Sequence, residues 1–125
     1  MRECVFIDGV RTPNGRAHRE KGWFRHLRPD ELLTPVYNAL FERNSKVAPD
    51  MVDAVFVGCA NPSGMQNDIG RLAWLASGLP DSVPTNTLTN QCPSGMSATM
   101  HAARAILTGE ADIIIAAGVE DMEKV

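Results

Sequence analysis

The sequence predicts an α/β fold: a layered parallel sheet with helices on both faces, in the order βαβαβαβ. Three observations predict it. Apolar runs of strand length alternate with longer stretches whose apolar residues recur at helical period. Strands alternating with helices imply parallel pairing through right-handed crossovers. The run Ile113-Ile114-Ile115-Ala116-Ala117 is continuously apolar, as a central parallel strand covered on both faces is.

The elements follow in order. Cys4 to Val10 reads as a buried strand, followed by a polar loop from Arg11 to Arg28. Pro29-Asp30-Glu31 opens a helix, with carboxylates in the first turn where the dipole favours them. Leu32, Val36 and Leu40 form one helical row; Leu33, Tyr37 and Phe41 form the next. Pro35 lies inside this pattern and costs a hydrogen bond or a kink near the helix start. Val52 to Ala60 is the second predicted strand, and Asn61-Pro62-Ser63-Gly64 is turn chemistry. A second helix runs from about Asp68 to Ser77, with Gly78 and Pro80 as stops. Ser82 to Asn90 is a third strand, and Pro84 puts it at a sheet edge. A third helix runs from near Pro93 to Leu107 and ends at Thr108-Gly109. Asp112 to Val119 is the fourth strand. Ligands of such sheets bind beyond the carboxyl ends of the strands.

Composition narrows the functional classes. Apolar residues at 44% and charged residues at 22% are the balance of a globular domain, and 125 residues fit one domain. A net charge of −3 implies no strongly charged partner such as nucleic acid. The cations Arg11, Arg16, Arg19, Lys21, Arg25 and Arg28 share one loop. That loop reads as a solvated surface more readily than as a phosphate site. No run approaches the ~18 apolar residues of a membrane span, and no secretory signal opens the chain. With three cysteines, an odd number, the expected compartment is reducing and cytoplasmic.

The candidate site is the turn between the third strand and the third helix. Asn90-Gln91-Cys92-Pro93-Ser94-Gly95 has the order of a nucleophile elbow, which exposes one side chain above the sheet. Pro93 suits the first helical position, where a missing N–H costs nothing. Cys92 then precedes a helix N-terminus, whose dipole favours thiolate over thiol. A thiolate is a strong nucleophile that forms thioesters, and free N–H groups of the turn can hold an oxyanion. Elbow geometry alone leaves a second reading equally open, Cys92 as a small apolar turn residue. Cys4 and Cys59 sit within apolar strand patterns and read as buried. No C-x-x-C or H-x-x-x-H spacing occurs, so no metal site is expected. His101 lies nine residues past Cys92 on the same helix, ~13 Å along the axis, too far for a general base. His18 and His26 lie on the polar loop.

These segments together resemble the thiolase family. Thr89-Asn90-Gln91-Cys92-Pro93-Ser94-Gly95-Met96 is similar to the segment around that family's acylated cysteine. Ala102 to Asp112, Gly118-Val119-Glu120-Asp121-Met122 and Asp8 to Gly15 resemble its further motifs, in order along all 125 residues. The family usually has an Asn-Arg pair where this chain has Thr89-Asn90, and Gly or Ser where it has Pro93. The Cys92 amide remains available to an oxyanion.

The resemblance implies acyl transfer between a thioester and coenzyme A through acyl-Cys92. A 3-ketoacyl-CoA is cleaved by CoA, or two acetyl-CoA molecules condense. It implies no resident cofactor, CoA and acyl-CoA as substrates, and a homodimer or larger paired through about Ser82 to Asn90. Residues 1–125 then correspond to an incomplete N-terminal domain, without the CoA-holding loop region and the C-terminal domain. The family's Gly-His-Pro and Cys-x-Gly motifs do not occur here: His18, His26 and His101 are followed by Arg19, Leu27 and Ala102. A second chain carrying that histidine and second cysteine is the expected partner for turnover. The alternatives are a non-catalytic thiolase-like subunit or fragment and, last, a redox-sensing thiol. Which residues contact CoA is not legible.

Overall fold

A computed structural model describes residues 2–62 and 68–124. Its elements are α1 (Pro29–Arg43), β1 (Ala54–Gly58), α2 (Ile69–Ala76), β2 (Thr85–Leu88), α3 (Ser94–Thr108) and β3 (Ile114–Gly118). Short 3-10 turns span Pro49–Met51 and Met122–Lys124. The three strands form one parallel sheet in the order β2-β1-β3. Val55 stands opposite Thr85 on one side and Ile115 on the other. The mixed α/β architecture with a parallel sheet and helices on both faces is as predicted. Ser63 and Gly64 of the predicted 61–64 turn lie outside the described residues.

Alternation along β1 divides its residues between two layers. Val55 and Val57 point to one face and join Leu33, Tyr37, Ala73, Trp74 and Ile115 in a single buried cluster. α1 and α2 supply the other wall of that cluster. Trp74 meets Tyr37 edge-on at 5.4 Å and 78°, and Phe41 at 6.0 Å and 67°; such tilted arrangements suit the ring quadrupoles. Its indole Nε1 donates to Pro80 O at 2.7 Å, so burial leaves no polar atom of the ring unpaired. Phe56 and Gly58 point to the opposite face, where α3 lies. Phe56 meets the His101 ring at 6.0 Å, and Gly58 abuts the backbone of Ser94 and Gly95.

Local signals place the helix ends. Asp68 caps α2 by accepting from Arg71 N at 3.1 Å, and its carboxylate also accepts from Thr87 Oγ1 at 2.6 Å, tying the cap to β2. Gly78 takes φ 73° just past α2, and Gly109 takes φ 81° as the C-cap of α3. Both positions are left-handed, where a Cβ would be strained. α1 runs through Pro35, which has no N–H to donate to Glu31 O. β2 is an edge strand, as Pro84 foretells: Pro84 contributes its carbonyl to Val55 N at 2.9 Å, and its outer side lacks an N–H to leave unpaired.

Two expectations are corrected. Cys4–Val10 belongs to no strand. A ladder needs a neighbour about 4.8 Å away. Residues 2–9 are instead held off β3 by a cavity of about 590 Å³ that both sides line. The segment is fastened at its ends: Arg2 pairs with Asp112, and Asp8 accepts from Arg43 Nη2 at 2.9 Å and Asn44 Nδ2 at 2.8 Å. Between these anchors Val5, Phe6 and Ile7 are 65%, 89% and 71% exposed. Consequently β3, read as a central strand, is an edge strand among the described residues, and β1 is the central one. An apolar run states that a segment can be buried; it does not say which strand lies beside it.

Candidate active site

β2 ends at Leu88 and α3 begins at Ser94, so residues 89–93 must reverse the chain above the carboxyl end of the sheet. Gln91 absorbs the reversal with φ 51°, a left-handed conformation uncommon for a side chain other than Gly, Asn or Asp. Ser94 holds the turn from within. Its hydroxyl accepts from Asn90 N at 2.8 Å and donates to Gln91 O at 2.6 Å, while its amide donates to Gln91 O at 3.1 Å. Ser94 is buried, so these bonds replace water that the site excludes. Asn90 Nδ2 adds a bond to Ser97 Oγ at 3.0 Å. α3 starts one residue later than the sequence predicts, with Pro93 as its flanking cap residue.

Cys92 rides on the outside of this turn and is exposed. It lies two residues ahead of α3, within reach of the positive end of a 15-residue helix. Cys59, by contrast, is buried at the end of β1; burial first, then the Glu120 charge, push its thiol up to about 11. Such a thiol stays protonated and unreactive at neutral pH. Cys4 is half-buried on the N-terminal segment rather than inside a strand.

The histidines are placed elsewhere. His101 faces Phe56, and its Nδ1 pairs with Ser97 O at 2.8 Å. His18 Nδ1 accepts from Glu20 N and Lys21 N at 3.1 Å each. His26 is exposed on the same loop. Among the described residues no histidine hydrogen-bonds to the Cys92 thiol, and no three His, Cys, Asp or Glu side chains gather as metal ligands. The basic loop is an exposed series of turns pinned by Glu123, whose Oε1 accepts from Phe24 N at 3.1 Å.

Neighbouring loops brace the turn. Thr89 Oγ1 donates to Cys59 O at 2.9 Å, and Glu120 accepts from Ala60 N at 2.9 Å and Asn61 N at 2.7 Å. A cavity of about 660 Å³ opens at the carboxyl end of β3, lined by Gly95 and Thr99 of α3, Gly118 to Glu123 and residues 8–15. Cys92 is outside that lining. Sequence reasoning singled out Cys92 as the candidate but not the bracing residues Thr89 and Ser94. A hydroxyl at the first helical position, two residues past the cysteine, was the available signal for Ser94.

Comparison with known proteins bears on the whole chain. Residues 4–125 match the family model described as thiolase, N-terminal domain. A beta-ketoadipyl-CoA thiolase of Pseudomonas knackmussii is 46% identical over 124 residues, covering 98% of this chain and 30% of that protein. A 3-oxoadipyl-CoA/3-oxo-5,6-dehydrosuberyl-CoA thiolase of Escherichia coli is 41% identical, covering 99% of this chain and 30% of that one. Among solved structures, the acetyl-CoA acetyltransferase of Bacillus anthracis superposes with a TM-score of 0.72 at 36% identity, covering 78% of this chain and 24% of that chain. The chain thus spans about 30% of the length of the curated relatives it matches. No helix among the described residues is long and apolar enough to cross a membrane. With its sequence matched from Cys4 to Val125 and 78% of its length superposing on a solved acetyl-CoA acetyltransferase, the chain belongs to the thiolase family, in its N-terminal domain.

Proposed function

We propose that this chain carries the acyl-accepting nucleophile of a thiolase-type acyl-CoA acyltransferase, and that Cys92 is that nucleophile. The observation that supports it is the exposed thiol on a left-handed turn directly ahead of α3, on the ligand side of a parallel sheet. The Cys92 thiolate attacks an acyl carbonyl and forms a thioester. From a simple thioester the C–S bond to CoA breaks, and the CoA thiolate leaves and takes a proton. From a 3-ketoacyl-CoA the bond between the 2- and 3-carbons breaks, and the acetyl-CoA carbanion takes the proton. CoA is substrate rather than resident cofactor, and neither nucleic acid nor membrane takes part. The free cysteines suit a cytoplasmic location.

The base and the second thiol come from outside these 125 residues, as their missing Gly-His-Pro and Cys-x-Gly motifs imply, and a partner chain bearing them restores turnover. A lost general base costs ~10²–10⁴ in rate. The chain alone therefore acylates Cys92 slowly and shows no steady-state thiolysis. Mass spectrometry after incubation with acetyl-CoA, or with a more reactive thioester, tests this. Acyl groups on Cys4 or Cys59 in preference to Cys92 would remove the nucleophile assignment. Efficient turnover that Cys92→Ala abolishes would locate a base within the chain, with His18 and His26 first in line. The second reading, a non-catalytic thiolase-like subunit or fragment, draws on the missing Gly-His-Pro histidine; it predicts no acylation at all.

Assembly is part of the same proposal. Among the described residues β2 presents an unpaired edge, and such edges recruit a second strand. Two copies pair through about residues 82–90. Light scattering at micromolar concentration should give at least twice the 13.6 kDa chain mass; a monomer there removes this pairing.

A further inference from the structure

Two carboxylates close the sheet at opposite ends. Asp53, just ahead of β1, accepts from Asp112 N at 2.7 Å and Ile113 N at 3.0 Å, just ahead of β3. Glu120, just past β3, accepts from Ala60 N and Asn61 N, just past β1. The first clamp sits at the amino ends of the strands. The second sits at the carboxyl ends, where the Cys92 turn lies.

We infer that Glu120 is a positioning residue for Cys92: it fixes the backbone at 59–61, on which the thiol-bearing turn rests. The inference depends on Cys92 being the nucleophile. The physical connection is continuous. Gly58 O accepts from Val119 N at 3.0 Å, and Cys59 N donates to Leu88 O at 3.0 Å, so this stretch is held between both neighbouring strands. Cys59 O then receives the Thr89 hydroxyl, and Thr89 leads into Asn90, whose amide is held by Ser94. Gly58 meets the first turn of α3 directly. A carboxylate is the group that this place needs. Its two oxygens each take one N–H, with the extra strength of a charged acceptor. A glutamine can satisfy only one of the two; its NH₂ then faces the other N–H, donor against donor. Charge alone acts the other way, since removing an anion near a thiol favours the thiolate. A slowing is therefore the signature of positioning.

The test is alkylation of Cys92 by iodoacetamide across pH 6–10, with Cys4 and Cys59 followed in the same digests. In Glu120→Gln the Cys92 rate at pH 8 should fall about threefold, as the thiol loses its fixed place ahead of the helix N-terminus. Thr89→Val, which cuts the connection at its middle, should give the same change. Asp53→Asn keeps one oxygen for both far-end N–H groups but removes the charge that strengthens those bonds; it should lower the melting temperature while leaving the Cys92 pH profile as in wild type. Equal slowing in Asp53→Asn, or an unchanged profile in Glu120→Gln, overturns the inference. If Glu120→Gln does not fold, Thr89→Val decides alone, and an unchanged profile there overturns it. Failure of the nucleophile assignment shows separately, as a wild-type chain whose Cys92 is not its most reactive thiol.

Discussion

Trp74→Ala should cost about 3–5 kcal/mol, the usual range for truncating a large buried aromatic. The indole is fully buried and touches both other aromatics of the core, Tyr37 and Phe41. It also joins α2 to the loop after it through Pro80 O. Domains of this size have ~5–15 kcal/mol in all, so the variant should be partly or wholly unfolded at room temperature. Urea unfolding followed by far-ultraviolet circular dichroism measures this without relying on the lost fluorophore. Trp74→Phe should recover most of the loss. Its remaining deficit of ~1 kcal/mol corresponds to the lost indole hydrogen bond to Pro80 O and the missing ring. Leu72→Ala, at a 43% exposed position on the same helix, should barely move the midpoint. A Trp74→Ala midpoint close to that of Leu72→Ala would mean that α2 is not anchored through this ring.

The same core shows why some elements were legible. α1 is readable because Pro29, Asp30 and Glu31 announce its start and two apolar rows give its period; Leu33 and Tyr37 are indeed buried. α2 is readable from Asp68 at one end and Gly78 at the other, and both act as caps and stops. These are local signals, set by residues a few positions apart. Sheet order is not local. Val55 and Ile115 are neighbours across 60 positions of chain, and nothing within either segment names the other. The Cys4–Val10 run has the composition of a strand, yet its place is set by side-chain anchors to Asp112, Arg43 and Asn44, which lie on distant elements.

The site divides along the same line. A strand, a proline and a helix in succession place Cys92 at an elbow, and the structure puts it there, exposed. The left-handed residue is Gln91, although Asn90 beside it has the stronger intrinsic tendency toward that conformation. Ser94 decides the matter by holding Asn90 N and Gln91 O on either side of its hydroxyl, which forces the reversal onto Gln91. Glu120 was visible only as part of a motif. Its work depends on amides 59 and 60 residues away, a relation that no spacing rule captures.

Gly58→Ala should be the most damaging single methyl group in the sheet. A Cβ at Gly58 would fall inside contact distance of Gly95 N and of the Ser94 carbonyl group, all backbone atoms of the first turn of α3. Backbone cannot rotate aside as a side chain can. β1 cannot retreat either, because it is bonded to β2 on one side and β3 on the other. The start of α3 must therefore lift, carrying Ser94 away from Asn90 N and Gln91 O and releasing the turn that presents Cys92. Overpacking of this kind costs ~1–3 kcal/mol and occasionally more, and here it falls at the end of the sheet that carries the Cys92 turn. Gly95→Ala is the matched control: its Cβ meets nothing within 4 Å, and alanine is preferred to glycine in a helix by up to ~1 kcal/mol. Urea midpoints should thus move in opposite directions, down for Gly58→Ala and level or up for Gly95→Ala. Cys92 alkylation should slow only in the first. Equal tolerance of both methyl groups would show that α3 is not seated on β1 through these two glycines, and that the Cys92 turn takes its position from elsewhere.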